Sequence, residues 1–284
     1  MSNVKHATTT VNGVNIFYRE AGSKGNPVLV LLHGYPTSSH MYRNLLRDLS
    51  DQYHLIAPDY PGFGRSAQPS IDGFAYTFEN FSSIVEALLA QLGVDKFSLY
   101  LMDYGAPVGF RIASRNPDRI NSLIIQNGCA YEEGLETFWE PLKKYWNDKT
   151  TENSKALEGF HSEEGLKWQY THGVPDAEAI SPDNWEIDSR HLQRPGNNEI
   201  QLALFYDYRT NLTLYPEWQK YFRDRQPKTL IVYGKNDYIF PASGAEAYKK
   251  DLQHIDFNLY DTGHFALESH GTEIAEKIRT FLQN

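Results

Sequence analysis

Between residue 8 and about residue 126, short and nearly unbroken apolar runs alternate with longer stretches in which apolar positions recur at helical spacing. Residues 28–32, 53–57, 97–102 and 120–125 have the length and continuous apolar character of strands buried on both faces. Residues 76–92 and 106–114 carry the helical period, and the resulting β-α-β rhythm predicts a mostly parallel sheet flanked by helices. From about residue 131 to residue 218 the pattern changes to Trp- and Tyr-rich, charged, helix-like stretches. These are clearest at 135–146 and 162–168 and are broken at Gly173-Val174-Pro175 and Arg194-Pro195-Gly196. Strand-like runs return at 229–233 and 257–260, and residues 272–282 read as a terminal helix. The expected organisation is an α/β core made from residues 1–130 and 219–284, interrupted by an inserted helical cap over residues 131–218.

Composition narrows the function classes. With 40% hydrophobic and 22% charged residues in a chain of 284, the protein reads as folded and globular. The 27 Lys and Arg residues stand against 36 Asp and Glu, a net charge of −9. Nucleic acid, anionic membranes and other polyanions are therefore poor expected partners. No apolar run approaches the ~18 residues of a bilayer span, and the first twenty residues lack the apolar centre of a secretory signal. The single cysteine, Cys129, cannot form an internal disulfide, and no Cys/His spacing suggests a structural zinc. A reducing cytoplasmic setting is expected, with no metal and no cofactor. Oligomeric state leaves no trace in the pattern. The 19 tyrosines and 5 tryptophans suit a ring-lined pocket as well as a core.

The chemistry concentrates at one bend. Residues 97–106 (Phe-Ser-Leu-Tyr-Leu-Met-Asp-Tyr-Gly-Ala) read as a strand, a sharp turn and a helix, with Asp103 at the turn and Gly105 two places later. Such a bend lifts its side chain above the sheet edge, where a nucleophile is exposed; no G-x-S-x-G occurs in the chain. Around it stand His33-Gly34-Tyr35-Pro36 after the first strand of the β-α-β series, Asp59-Tyr60-Pro61-Gly62-Phe63-Gly64-Arg65-Ser66 after the next, and Gly234-Lys235-Asn236-Asp237 and Asp261-Thr262-Gly263-His264 after the last two.

These segments, in this order, resemble the α/β-hydrolase superfamily, and within it the branch with an aspartate nucleophile, the epoxide hydrolases and haloalkane dehalogenases. The resemblance spans most of the chain. It implies Asp103 as nucleophile, Asp237 as the acid, His264 as the histidine, and the backbone N–H groups of Tyr35 and Tyr104 as the oxyanion hole. A carboxylate is already ionised at neutral pH and can attack an electrophilic carbon without a base, giving an alkyl ester. His264 would then activate the water that hydrolyses it, its ring held by Asp237. The expected substrate is a small apolar electrophile.

The leaving group separates the two chemistries. A departing halide needs N–H donors, which dehalogenases supply with a Trp after the nucleophile and a second Trp or Asn; here Tyr104 and Tyr35 hold those places. A departing epoxide oxygen needs a proton, which tyrosine can give. Phe205-Tyr206-Asp207-Tyr208-Arg209-Thr210-Asn211 resembles the stretch bearing one of the two cap tyrosines of epoxide hydrolases, and implies Tyr208. Tyr145 is the candidate for the other, with Tyr131 and Tyr170 as alternatives. Epoxide hydrolysis to a vicinal diol is thus the leading expectation, with carbon–halogen hydrolysis and a binding module without turnover as alternatives. Other readings stay open. Asp103 could cap a helix, and Asp237 could be a turn residue, with Glu132 or Glu133 as the acid. His264 could be structural, and His33 is expected to brace its own loop. Leu101, two before Asp103, is larger than the family's usual residue there.

Overall fold

The computed structural model describes residues 4–283, which form one eight-stranded sheet with helices packed against it. The strands are β1 (Lys5–Val11), β2 (Val14–Ala21), β3 (Val28–Leu32), β4 (His54–Pro58), β5 (Phe97–Met102), β6 (Ile120–Gln126), β7 (Lys228–Gly234) and β8 (Ile255–Tyr260), in the order β1-β2-β4-β3-β5-β6-β7-β8. From β4 across to β8 every pairing is parallel, while β2 runs antiparallel to both β1 and β4. The runs expected at 28–32, 97–102, 120–125, 229–233 and 257–260 all lie within strands, and the run at 53–57 is shifted by one residue.

The β1–β2 hairpin is absent from the expectation. Lys5–Val11 has no continuous apolar run, because this edge strand alternates exposed and half-buried positions. The turn chemistry does mark it: Asn12 and Gly13 both have positive φ (49° and 81°), as a two-residue hairpin turn requires.

The helices are α1 (Arg43–Leu49), α2 (Phe78–Gln91), α3 (Gly105–Arg115), α4 (Glu140–Asn147), α5 (Thr151–Lys155), α6 (Glu163–Thr171), α7 (Asp183–Leu192), α8 (Asn197–Asp207), α9 (Arg209–Arg225), α10 (Ala242–Ala247) and α11 (Ala266–Gln283). Six of them, α4 to α9, form the insertion between β6 and β7. Helix α9 runs through residue 218 to Arg225 and packs on α3 of the core. Helix α11 is kinked at His270. No helix is long and apolar enough to cross a membrane.

Order reverses at β3, which lies between β4 and β5. In parallel α/β sheets the crevice at such a point, beyond the strands' carboxyl ends, is where ligands bind. The large residue before the bend is accommodated from the helix side. Leu101 is fully buried, and a Cβ built on Gly109 of α3 would stand 2.1 Å from its Cδ2. The bend keeps its packing because the facing helix gives up a side chain. Gly109→Ala is expected to destabilise the fold by about 1–3 kcal/mol through overpacking. In a Leu101→Ala background the same change should cost close to nothing, which chemical denaturation of the four proteins in the cycle would reveal.

Candidate active site

Five strand ends build the site. Asp103 follows β5 with φ +50°, a left-handed conformation that is costly for a residue with a Cβ and that turns the chain sharply into α3. The carboxylate does not cap α3: its Oδ1 accepts from the backbone N–H groups of Tyr35 (2.7 Å) and Tyr104 (2.5 Å). The two donors come from the loop after β3 and from the bend itself. Glycine permits both approaches. A Cβ on Gly34 would meet Asp103 Cβ at 2.2 Å, and one on Gly105 would meet Leu32 O at 2.0 Å.

Asp237 follows β7 and His264 follows β8. His264 Nδ1 lies 2.8 Å from Asp237 Oδ2, and its Nε2 lies 3.7 Å from Asp103 Oδ2 with no hydrogen-bond partner of its own. The first contact sets the ring so that Nε2 points at the nucleophile position. Asp237 is itself held by Ile239 N–H and by the Asn127 side-chain amide, both at 2.8 Å. Glu133, one of the two alternative acids beside Glu132, is instead ion-paired with Lys250 at the surface.

Asn127 was not singled out in the sequence. It follows β6 with φ +42°, and its amide also bonds both backbone groups of Gly234, so one side chain fixes the ends of two neighbouring strands. An Asn-Gly pair directly after an apolar strand was the available signal, since Asn tolerates left-handed backbone better than most residues.

All three charged groups are buried. Burial pushes the Asp103 carboxyl up to about 6, against the opposing pull of His264 and the two N–H donors. Burial also disfavours an imidazolium at His264, but the carboxylates of Asp237 and Asp103 outweigh it and raise the pKa. The arrangement can present a carboxylate to an electrophile and hold a base beside it.

Beyond Asp103 lies a tight apolar cavity lined by Tyr35, Tyr104, Ile239 and residues of the insertion, among them Phe138, Trp139, Gln169 and Phe205. The space open to a water-sized sphere is about 20 Å³, room for little more than one water. Anything much larger than a water needs these walls to move.

The tyrosines are distributed unevenly around the cavity. Tyr208 is buried behind it, its ring 4.4 Å from that of Trp139 and 6.1 Å from that of Tyr104, and its hydroxyl has no hydrogen-bond partner among the described residues. Tyr145 packs against Tyr206, ring centroids 5.7 Å apart, and neither Tyr145 nor Tyr208 lines the cavity. Tyr131 and Tyr170 are engaged by the carboxylates of Asp251 and Asp188. Tyr104 does line the cavity, and its buried hydroxyl has no hydrogen-bond partner among the described residues. The Tyr35 hydroxyl donates to Phe160 O at 2.9 Å and lies 2.8 Å from His161 Nδ1. Two indoles near the cavity are committed: Trp139 Nε1 donates to Ile239 O and Trp146 Nε1 to Phe205 O.

His33 braces its loop, bonded to Gly34 O and to Tyr60 N–H. Cys129 is a buried thiol pushed up to about 11 by burial.

Comparison with known proteins agrees with the fold. The chain is 44% identical over 277 residues to an uncharacterized hydrolase of Saccharomyces cerevisiae, covering 96% of this chain and 95% of that protein. It is 30% identical over 287 residues to a cis-3-alkyl-4-alkyloxetan-2-one decarboxylase of Shewanella oneidensis, covering 95% of this chain and 86% of that protein. It is 42% identical over 113 residues to a haloalkane dehalogenase of Bradyrhizobium diazoefficiens, covering 40% of this chain and 36% of that protein. The family model described as alpha/beta hydrolase fold matches residues 27–271. The chain is therefore a hydrolase belonging to the alpha/beta hydrolase fold family, with haloalkane dehalogenases among its relatives.

Proposed function

We propose that the chain hydrolyses small apolar electrophiles through a covalent alkyl ester on Asp103, and that its substrates are epoxides, opened to vicinal diols. The observation that carries this reading is the setting of Asp103, with one carboxylate oxygen between two backbone N–H donors and the other facing His264 Nε2. In the first step Asp103 Oδ2 bonds to a ring carbon, that carbon's C–O bond breaks, and the departing oxygen takes a proton from a tyrosine. In the second, His264 removes a proton from water, the water oxygen attacks the ester carbonyl, and its oxyanion rests on the Tyr35 and Tyr104 N–H groups. Collapse of that intermediate breaks the ester C–O bond, and the released alkoxide takes the proton left on the Asp103 carboxyl to complete the diol. The imidazolium, stabilised by Asp237 in this step, returns its proton to the tyrosinate, and Asp103 is again a carboxylate.

The choice of epoxide rests on the donors at hand. The neighbouring indole N–H groups are occupied by carbonyls, while the Tyr104 hydroxyl faces no acceptor. A hydroxyl of this kind protonates a leaving alkoxide, and Tyr104 takes that role here. Tyr208, which the family resemblance implies for it, has an equally unpartnered hydroxyl but does not line the cavity, and the choice of Tyr104 rests on that difference. The Shewanella oneidensis relative is named as a decarboxylase of a four-membered oxygen heterocycle, a small strained ring as an epoxide is. Carbon–halogen hydrolysis is the second reading, favoured by the dehalogenase relatives, one of which matches 40% of this chain.

The test measures diol formation from styrene oxide and halide release from 1-bromobutane, with Tyr104→Phe, Tyr208→Phe and Tyr145→Phe beside the parent. Tyr104→Phe is expected to lower kcat on the epoxide by roughly 10²-fold or more, the scale of a lost general acid. Tyr145→Phe should be silent. Stoichiometric halide release, unaffected by Tyr104→Phe and without any diol formation, would replace the epoxide reading with the halide one.

A further inference from the structure

The thirteen arginines of the sequence are not alike in their partners. Eight of them, Arg43, Arg47, Arg111, Arg115, Arg119, Arg223, Arg225 and Arg279, make an ion pair with a carboxylate. Among the described residues four of the other five, Arg19, Arg65, Arg190 and Arg194, line a single cleft of about 450 Å³. Arg19 and Arg65 come from the core, Arg190 and Arg194 from α7 and the turn after it, so the cleft lies where the insertion meets the sheet domain. It shares no lining residue with the apolar cavity at Asp103.

Two of these guanidinium groups have no polar partner, Arg65 lying over the Phe17 ring at 6.0 Å. Arg65 and Arg190 are exposed, and their side chains make no hydrogen bond or ion pair among the described residues. Arg194 is anchored on the carbonyls of Gly62, Ser66 and His191, which positions its charge without neutralising it. Arg19 donates to Ser39 Oγ at 3.0 Å. The one carboxylate in the lining, Asp59, has both oxygens taken by the backbone N–H groups of Ser39 and Arg65 at 2.8 Å. His40 and His191 complete the polar wall, and His191 Nδ1 is buried without a partner. Burial first, and then Arg43 and Arg19, hold His40 down at about 4.

A protein of net charge −9 that gathers four arginines, none of them ion-paired, around a single carboxylate has built a cationic cleft. Planar guanidinium forks on two walls match the geometry of phosphate and carboxylate oxygens. We propose that this cleft binds a small soluble oxyanion carrying two or more charges, bridging the insertion to the sheet domain. The bridge joins Arg190 and Arg194 of the insertion to Arg19 and Arg65 of the core.

The test is thermal unfolding of the full chain with pyrophosphate, with citrate, and with sodium chloride at matched ionic strength. The parent should gain roughly 2–5 °C, saturably, from 10 mM of at least one oxyanion and not from chloride. Titration calorimetry should give one site per chain. In the double variant Arg65→Gln/Arg190→Gln the saturable gain should vanish while the unliganded Tm stays unchanged, because neither side chain holds the fold together. A response to pyrophosphate alone would narrow the ligand to phosphates. An equal gain in the double variant, or no saturable gain with either oxyanion, overturns the proposal. An effect of general salting-out would appear in both proteins alike.

Discussion

Asp103→Asn is expected to abolish hydrolysis and, at the same time, to make the protein more stable. Removing a covalent nucleophile from a hydrolase lowers kcat by at least about 10⁴-fold, and asparagine cannot form the ester. Asp103→Ala serves as the control against slow deamidation back to aspartate. The gain in stability follows from linkage. Burial raises the Asp103 pKa from 3.8 to about 6, so between those values the folded chain binds more protons than the unfolded one. This group's contribution to stability therefore falls as pH rises from about 4 through 6 and stays low above. Asparagine, which never ionises, escapes the loss, worth up to about 3 kcal/mol at pH 8. Asn also tolerates the positive φ at this position, so the bend itself is retained. Denaturant midpoints of parent and variant should diverge at pH 8 and converge below pH 4. A midpoint for Asp103→Asn below that of the parent at pH 8 would refute the claim that ionised Asp103 is held at a cost. The same pKa sets the pH dependence of the first chemical step. Single-turnover formation of the ester should fall tenfold per pH unit below about pH 6, as the nucleophile takes up its proton.

His264→Gln should stop the reaction halfway. The first step needs only an ionised carboxylate and a proton donor, so the variant is expected to react once with styrene oxide or 1-bromobutane and then stall. Loss of the base should slow ester hydrolysis by roughly 10²–10⁴-fold, long enough for intact-protein mass spectrometry to capture the adduct. Peptide mapping should place it on Asp103. An epoxide adds its whole mass because its oxygen stays on the alkyl group, whereas a haloalkane adds its mass less hydrogen halide. The trapped mass thus separates the two chemistries in one measurement. The parent should show a pH dependence of opposite origin in its second step. Ester formation removes the Asp103 charge that helps raise the His264 pKa. Ester hydrolysis should therefore rise with pH until the ring is neutral and then level off. If the folded variant formed no adduct with any electrophile of either class, covalent catalysis at Asp103 would be wrong.

Much of this was legible in the chain because it is written locally. Continuous apolar runs such as Phe97–Met102 announce strands buried on both faces, since no alternation is needed where both sides are covered. The segments at Asp103, Asp237 and His264 are each short, and their order along the chain sufficed to suggest one site. The hairpin at Lys5–Ala21 escaped because edge strands need little apolar sequence, although Asn12-Gly13 marked its turn. What the sequence by itself determined, then, was the fold class, the inserted helices and the residue types brought to the sheet's edge. Tertiary structure alone decided the rest. Asn127 braces Asp237 because β6 and β7 are neighbours, a pairing no local pattern encodes. Tyr208 and Tyr145 fall outside the cavity lining while Tyr104 falls within it, because side-chain direction depends on how helices of the insertion pack. Net charge describes the whole chain, and a value of −9 gave no hint that Arg19, Arg65, Arg190 and Arg194, up to 175 residues apart, share one cleft. Charge acts through distance in space, and only the folded chain sets those distances.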